Sequence, residues 1–195
     1  MKQLLSKGLI EIAPDVKPIL YKKSSVINAI KILKEKHQEA LEYKTLAKEI
    51  LISNLAKAYN QPTKNICLTP SGMNAVYCAL RGLKTIQNQN GKNKLIQLGW
   101  LYLDTMNIVE HYFEENKIFY DITDLDLLED YLKINGHTIS AIVTEIPTNP
   151  LLQTVDLPRL KNLCLKYNIV LVIDATFATP FNLDLKPYAD IYVES

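Results

Sequence analysis

Ile169-Val170-Leu171-Val172-Ile173-Asp174-Ala175-Thr176 is the stretch on which the fold turns. Its first five residues are apolar without interruption, which suits a strand covered on both faces. Asp174 then brings a carboxylate out at the strand's carboxyl end. Just upstream, LPRLKNLCLKYN (157–168) reads as a helix with Pro158 in its first turn. Before that helix, ISAIVTEI (139–146) reads as another strand. The alternation extends in both directions. SGMNAVYCALRGLKTI (71–86) is helical, KLIQLGW (94–100) strand-like and LDTMNIVEHYFEE (103–115) helical. NKIFYDI (116–122) is strand-like, and DLDLLEDYLKIN (124–135) is a helix ended by Gly136. NICL (65–68) is a short apolar run preceding the first of these helices, and ADIYVES (189–195) is the last strand-like stretch. Strand and helix in regular succession predict an α/β fold, with a mostly parallel sheet and helices on both faces.

The first 60 residues have a different texture, so the expected division is an N-terminal segment over 1–60 and an α/β domain over 61–195. Pro14 and Pro18 keep the first 20 residues irregular. Ser24 or Ser25 can cap a helix through VINAIKILKEKHQEALEY (26–43), with Val26, Ile27, Ile30 and Leu33 as its apolar stripe. A second helix is expected over LAKEILISNLAKAYN (46–60), ended by Asn60 and Pro62.

Composition narrows the function. The 195 residues carry a net charge of +1, so no global basic field holds nucleic acid. Three unevenly spaced cysteines do not form a disulfide framework, and they point to a reducing, cytoplasmic setting. No apolar run approaches the roughly 20 residues that a membrane helix needs. The start, MKQLLSKGLIEIAPD, is broken by Lys7 and Glu11 and does not read as a signal peptide. His37, His111 and His137 are isolated, and Cys67, Cys78 and Cys164 lack ligand spacing, so no metal site is expected. The glycine fingerprint of nicotinamide-binding domains is missing as well. Of 22 basic residues only Arg81 and Arg159 are arginine, the residue suited to two-pronged grips on carboxylate or phosphate.

In open α/β sheets ligands sit beyond the carboxyl ends of the strands. Five segments deliver small polar groups there. Ser71-Gly72-Met73 opens a helix with exposed N–H groups and no side chain at Gly72, which makes a phosphate cradle or a plain serine cap. Tyr102 can stack on a flat ring or serve the core or surface. Asn149, between two prolines, can donate its amide to a ligand oxygen or shape a turn. Asp174 needs a cationic partner such as a protonated heterocyclic nitrogen, or else acts as a turn aspartate. Thr176 lies two residues on, and Ser195 follows the last strand.

The stretch TEIPTNPLLQTVDLPRL (144–160), followed by VLVIDATFATP and YADIYVES, closely resembles the pyridoxal-phosphate enzymes of cysteine and methionine metabolism. These are the cystathionine gamma-synthases, cystathionine lyases and homoserine sulfhydrylases. SGMNAV (71–76) is similar to that family's phosphate loop, and LYLDT (101–105) resembles its Leu-Tyr-Gly-Gly-Thr segment, with Leu103 and Asp104 in place of both glycines. The resemblance runs from about Ile66 to Ser195. It implies the large domain, in part, of the aspartate-aminotransferase-like (type I) fold, and pyridoxal 5'-phosphate as cofactor.

The same resemblance implies roles for the rim residues. The phosphate falls to Ser71, Gly72, Met73 and Ser195, and the pyridine ring is covered by Tyr102. Asn149 binds the ring hydroxyl, Asp174 pairs with the ring nitrogen, and Thr176 sits beside the ring.

It also implies features that these residues do not supply. They include a Schiff-base lysine just after the serine, a C-terminal domain with an arginine for the substrate carboxylate, and an N-terminal tyrosine-x-arginine motif. Tyr21-Lys22-Lys23 and Tyr43-Lys44-Thr45 are the nearest to that motif, and neither has arginine. The expectation is therefore the N-terminal part of an enzyme of sulfur amino-acid metabolism, inactive alone. The parent enzyme would be a homo-oligomer acting on a small amino acid, with gamma replacement on an activated homoserine expected ahead of beta or gamma elimination. A non-catalytic regulatory protein that keeps the fold is the alternative.

Overall fold

The structure, a computed structural model, describes residues 23–113 and 115–195. The irregular segment expected over the first 20 residues, Tyr21, Lys22 and Glu114 lie outside the described residues. So do the side chains of Ser24, Ser25, Val26 and Tyr43. The chain divides into two compact units, one up to Leu51 and one over Ile52–Ser195.

Helix α1 spans Lys23–Ala58 as one piece, where the sequence predicts two helices. Lys44 and Thr45, at the expected break, include neither glycine nor proline. The Thr45 hydroxyl donates to the Leu41 carbonyl at 3.0 Å, so it bonds within the helix instead of ending it.

The remaining elements are α2 (Gly72–Asn88), β1 (Lys94–Leu98), α3 (Leu103–Tyr112) and β2 (Asn116–Phe119), followed by α4 (Leu125–Asn135) and β3 (Ile139–Glu145). The chain continues with α5 (Leu157–Tyr167), β4 (Val170–Asp174), the short α6 (Thr179–Asn182) and β5 (Ile191–Val193). All strand pairs are parallel, in the order β2-β1-β3-β4-β5. The order reverses between β1 and β3, which opens a crevice between the segments that follow these two strands. The NICL run forms no strand. Ile66 is extended, residues 66–68 join no strand, and Cys67 is exposed.

Alternation along the strands builds two cores. On one face Ile96, Leu98, Ile142, Leu171 and Ile173 pack under Leu125, Leu128 and Leu132 of α4 and Leu157, Leu160 and Leu163 of α5. On the other, Leu95, Ala141, Val143, Val172 and Val193 meet Val76, Leu80 and Leu83 of α2 and Val109 of α3. The caps follow local chemistry. Asp124 and Asp156 accept the N–H groups of Leu127 and Arg159 at 3.0 Å, and Asn168 closes α5 at φ 52°. Gly136 follows α4 as the sequence predicts, but its φ is −56°, an ordinary helical value. It is glycine for space, because a Cβ there would sit 2.6 Å from the Tyr167 ring.

Candidate functional site

The carboxyl rim on the α2/α3 face gathers most of the polar residues that the sequence singles out. Ser71 caps α2, its hydroxyl accepting the Asn74 N–H at 3.2 Å. The capping role is therefore real. It leaves the N–H groups of Gly72 and Met73, in the helix's first turn, without intrahelical partners. Gly72 lies against Ser195: a Cβ there would come within 2.5 Å of the Ser195 Cβ and 2.7 Å of its Oγ. Any side chain at residue 72 would collide with Ser195, so the glycine lets the first turn of α2 lie directly against the end of β5. Met73 packs on the α2/α3 core.

Asp174 ends β4, half-buried, on the side of the strand that carries Val172. Thr176 donates twice to its Oδ1, from N at 3.0 Å and from Oγ1 at 2.7 Å. The same hydroxyl accepts the Ser195 N–H at 3.2 Å. Thr176 thus fixes the Asp174 carboxylate and ties it to the Gly72–Ser195 contact. Both of these bonds use Oδ1, which leaves Oδ2 to meet a ligand.

Tyr102 and Asn149 are joined to this group indirectly. β1 turns out of the sheet at Gly99, at φ 82°, a conformation that suits glycine. Tyr102 follows as the N-cap residue of α3, half-exposed and without a side-chain capping bond. Asn149 is exposed in the turn after β3. In that turn Thr148 N donates to the Gln153 carbonyl and Gln153 N to Thr148 Oγ1, each at 3.0 Å.

Glu145 connects the two segments. It is the last residue of β3, 5% exposed, and lies in register beside Asp174. Its Oε2 accepts the Tyr102 N–H at 3.0 Å, and the Asn149 N–H four residues on also favours its charged form. Burial, and secondarily the Asp174 charge, push its pKa up to about 7. Glu145 is not among the residues that the sequence singles out. The signal is nonetheless there, since an apolar strand ending in an acid at Val143-Thr144-Glu145 repeats the pattern of Ile173-Asp174.

Cys164 is buried, and burial pushes its thiol up to about 12, so it is no nucleophile. Among the described residues no group of histidine, cysteine and acidic side chains is placed to hold a metal ion. No helix among them is long and apolar enough to cross a membrane.

A helix start with free N–H groups and no side chain at residue 72, together with a fixed carboxylate along the same rim, fits a phosphate joined to a basic heterocycle. The comparisons agree. The model of the Cys/Met metabolism PLP-dependent enzymes matches residues 13–195. An L-2-amino-4-chloropent-4-enoate dechlorinase/desaturase of Streptantibioticus cattleyicolor is 35% identical over 75% of this chain and 30% of its own length. A cystathionine gamma-synthase of Neurospora crassa is 35% identical over 77% of this chain and 25% of its own. Among solved structures, a candidate O-acetylhomoserine (thiol)-lyase from Campylobacter jejuni, determined with a pyridoxyl-lysine phosphate, superposes with a TM-score of 0.58. It is 28% identical and aligns over 73% of this chain and 34% of its own. The chain thus spans about a third or less of the relatives it matches. It belongs to the pyridoxal 5'-phosphate-dependent enzymes of cysteine and methionine metabolism, with their type I fold in part and their cofactor.

Proposed function

We propose that the protein contributes the cofactor-binding part of a cystathionine gamma-synthase-like enzyme, which replaces the gamma substituent of an activated homoserine. The observation that carries this reading is the Asp174 carboxylate, held at Oδ1 by Thr176 and linked through Thr176 to the Gly72–Ser195 contact. Bound along this rim, pyridoxal phosphate supplies an electron sink to the amino acid joined to it. Asp174 Oδ2 holds a proton on the ring nitrogen, because an anion beside that nitrogen favours its charged form. The N–H groups of Gly72 and Met73 and the Ser195 hydroxyl bind the phosphate, with Ser71 fixing the helix start. Tyr102 covers the ring and excludes water from one side, Asn149 donates to the ring hydroxyl, and Thr176 orients Asp174.

The choice of gamma replacement over elimination rests on the likeness to cystathionine gamma-synthases. A homo-oligomeric assembly in the cytoplasm belongs to the same reading. The exposed Trp100, Leu103, Phe177 and Phe181 near the rim support covering by a further protein surface.

One observation favours a second reading, a cofactor-holding protein without turnover of its own: Leu103 and Asp104 stand where the segment that LYLDT resembles has two glycines. A product assay separates the readings. A protein containing these residues, given an O-activated homoserine and cysteine, should form cystathionine, and Asp174→Ala should lower the rate by about 10²–10³-fold. Keto acid without cystathionine would instead establish elimination, and no turnover by a protein that binds the cofactor would establish the second reading.

A further inference from the structure

Glu145 has a geometry that none of the roles above uses. The Tyr102 segment follows β1 and the Asn149 segment follows β3, and these two strands flank the point where the strand order reverses. The crevice there has no covalent or sheet bond holding its two lips together. Glu145 ends β3, four residues before Asn149, and reaches across to the other lip, accepting the backbone N–H of Tyr102 at 3.0 Å, while the Asn149 N–H also favours its charged form. The Tyr102 N–H opens α3 and has no acceptor within its own helix.

We propose that Glu145 is a positioning residue. It clamps the Tyr102 and Asn149 segments at a set separation, so that the ring of pyridoxal phosphate enters a preformed slot. The proposal rests on the reading of the rim given above. N–H groups from both lips that favour the charged form suit an acceptor-only side chain, and a carboxylate is one, whereas an amide brings a donor of its own among them. Holding a carboxylate in this place is unfavourable, because it is buried and neighbours Asp174. An apolar side chain would avoid that penalty but would leave both lips untied.

The chain carries its own reporter. Trp100 is the single tryptophan of the 195 residues. It stands two positions before Tyr102, is 49% exposed and lies 5.1 Å from the Tyr120 ring. At a pH above about 7, where Glu145 is ionised, Glu145→Gln in the full chain should make Trp100 more accessible to acrylamide quenching in the absence of cofactor. It should also weaken pyridoxal phosphate binding roughly tenfold, the scale of losing hydrogen bonds to a charged acceptor.

Glu145→Asp keeps the charge but shortens the reach by one methylene, so it should show both changes. It also serves if Glu145→Gln does not fold. The proposal requires both changes together. Wild-type quenching, or wild-type affinity, in the folded variants overturns it. Failure of the wild-type chain to bind pyridoxal phosphate at all would instead overturn the reading of the rim, and the clamp's purpose with it.

Discussion

The two faces of the sheet are made by the same strands and end differently. Toward α4 and α5 the strands present isoleucine and leucine to their ends, with Ile146 and Ile173 fully buried at the rim. Toward α2 and α3 they present smaller residues, Ala141, Val143 and Val172, and then turn to charge at Glu145 and Asp174. A one-residue step along β3 or β4 thus separates folding from chemistry. One face can be packed to its end because nothing must enter it. The other holds unfavourable groups at its end because a polar ligand must meet them.

Substitution on the apolar face tests this division with the largest expected effect. Ile173 is fully buried next to Asp174. Ile173→Ala should lower unfolding stability by about 2–5 kcal/mol in denaturant titration. At denaturant concentrations where the variant stays folded, its affinity for pyridoxal phosphate should remain within a few-fold of wild type. A large affinity loss in the folded variant would show that the two faces do not work separately.

The charged face should reveal itself through pH. Glu145 has its proton affinity raised to about 7 by burial and by Asp174, from an ordinary carboxylate value of 4.5. The folded state therefore binds this proton more tightly than the unfolded chain does. Stability from this group is fullest below about pH 4.5 and is lost as pH rises through about 7. The stability of wild type relative to Glu145→Gln, measured without cofactor, should fall by up to about 3 kcal/mol between pH 4.5 and 7.5. A flat difference would mean that the carboxylate is better solvated than its burial implies. The apolar face has no titrating group at its rim positions Ile146 and Ile173, so Ile173→Ala should carry no such dependence.

These contrasts explain how much could be read from the chain itself. The central strands were legible because Ile169–Ile173 and Ile139–Val143 have no competing periodicity. Asp174 stood out because a carboxylate follows five apolar residues, although a turn aspartate shares that pattern. The unbroken α1 was not, since Lys44-Thr45 resembles a boundary until the Thr45 hydroxyl is seen bonding back to Leu41. NICL has the composition of a strand, but pairing needs a neighbour, and Ile66–Leu68 has none. The reason for Gly136 lies 31 residues away in Tyr167, beyond the reach of local propensity. Glu145 shows the same limit at the site. Its acid is visible in the sequence, but the backbone donor it accepts comes from a segment 43 residues before it.

The scarce arginines carry the comparison to its smallest expected effect. Neither is at the rim, so neither grips a phosphate or a carboxylate ligand within these residues. Arg159 instead joins the outer surfaces of α5 and α4. Its guanidinium pairs with Asp126 and reaches Glu129 at 3.4 Å, while Lys166 donates to Glu129 at 3.2 Å. These bonds lie on the solvent side of the packed face, with the Arg159 side chain 39% exposed. Exposed pairs of this kind contribute about 0–1 kcal/mol, because water and salt screen them and two long side chains must be ordered. A lysine at residue 159 keeps the charge but loses the planar fork that serves two carboxylates at once. Arg159→Lys should therefore lower unfolding stability by less than about 1 kcal/mol, the loss shrinking further in high salt, and leave pyridoxal phosphate affinity unchanged. A change in affinity would place this arginine's influence across the sheet, on the face that the strand alternation separates from it.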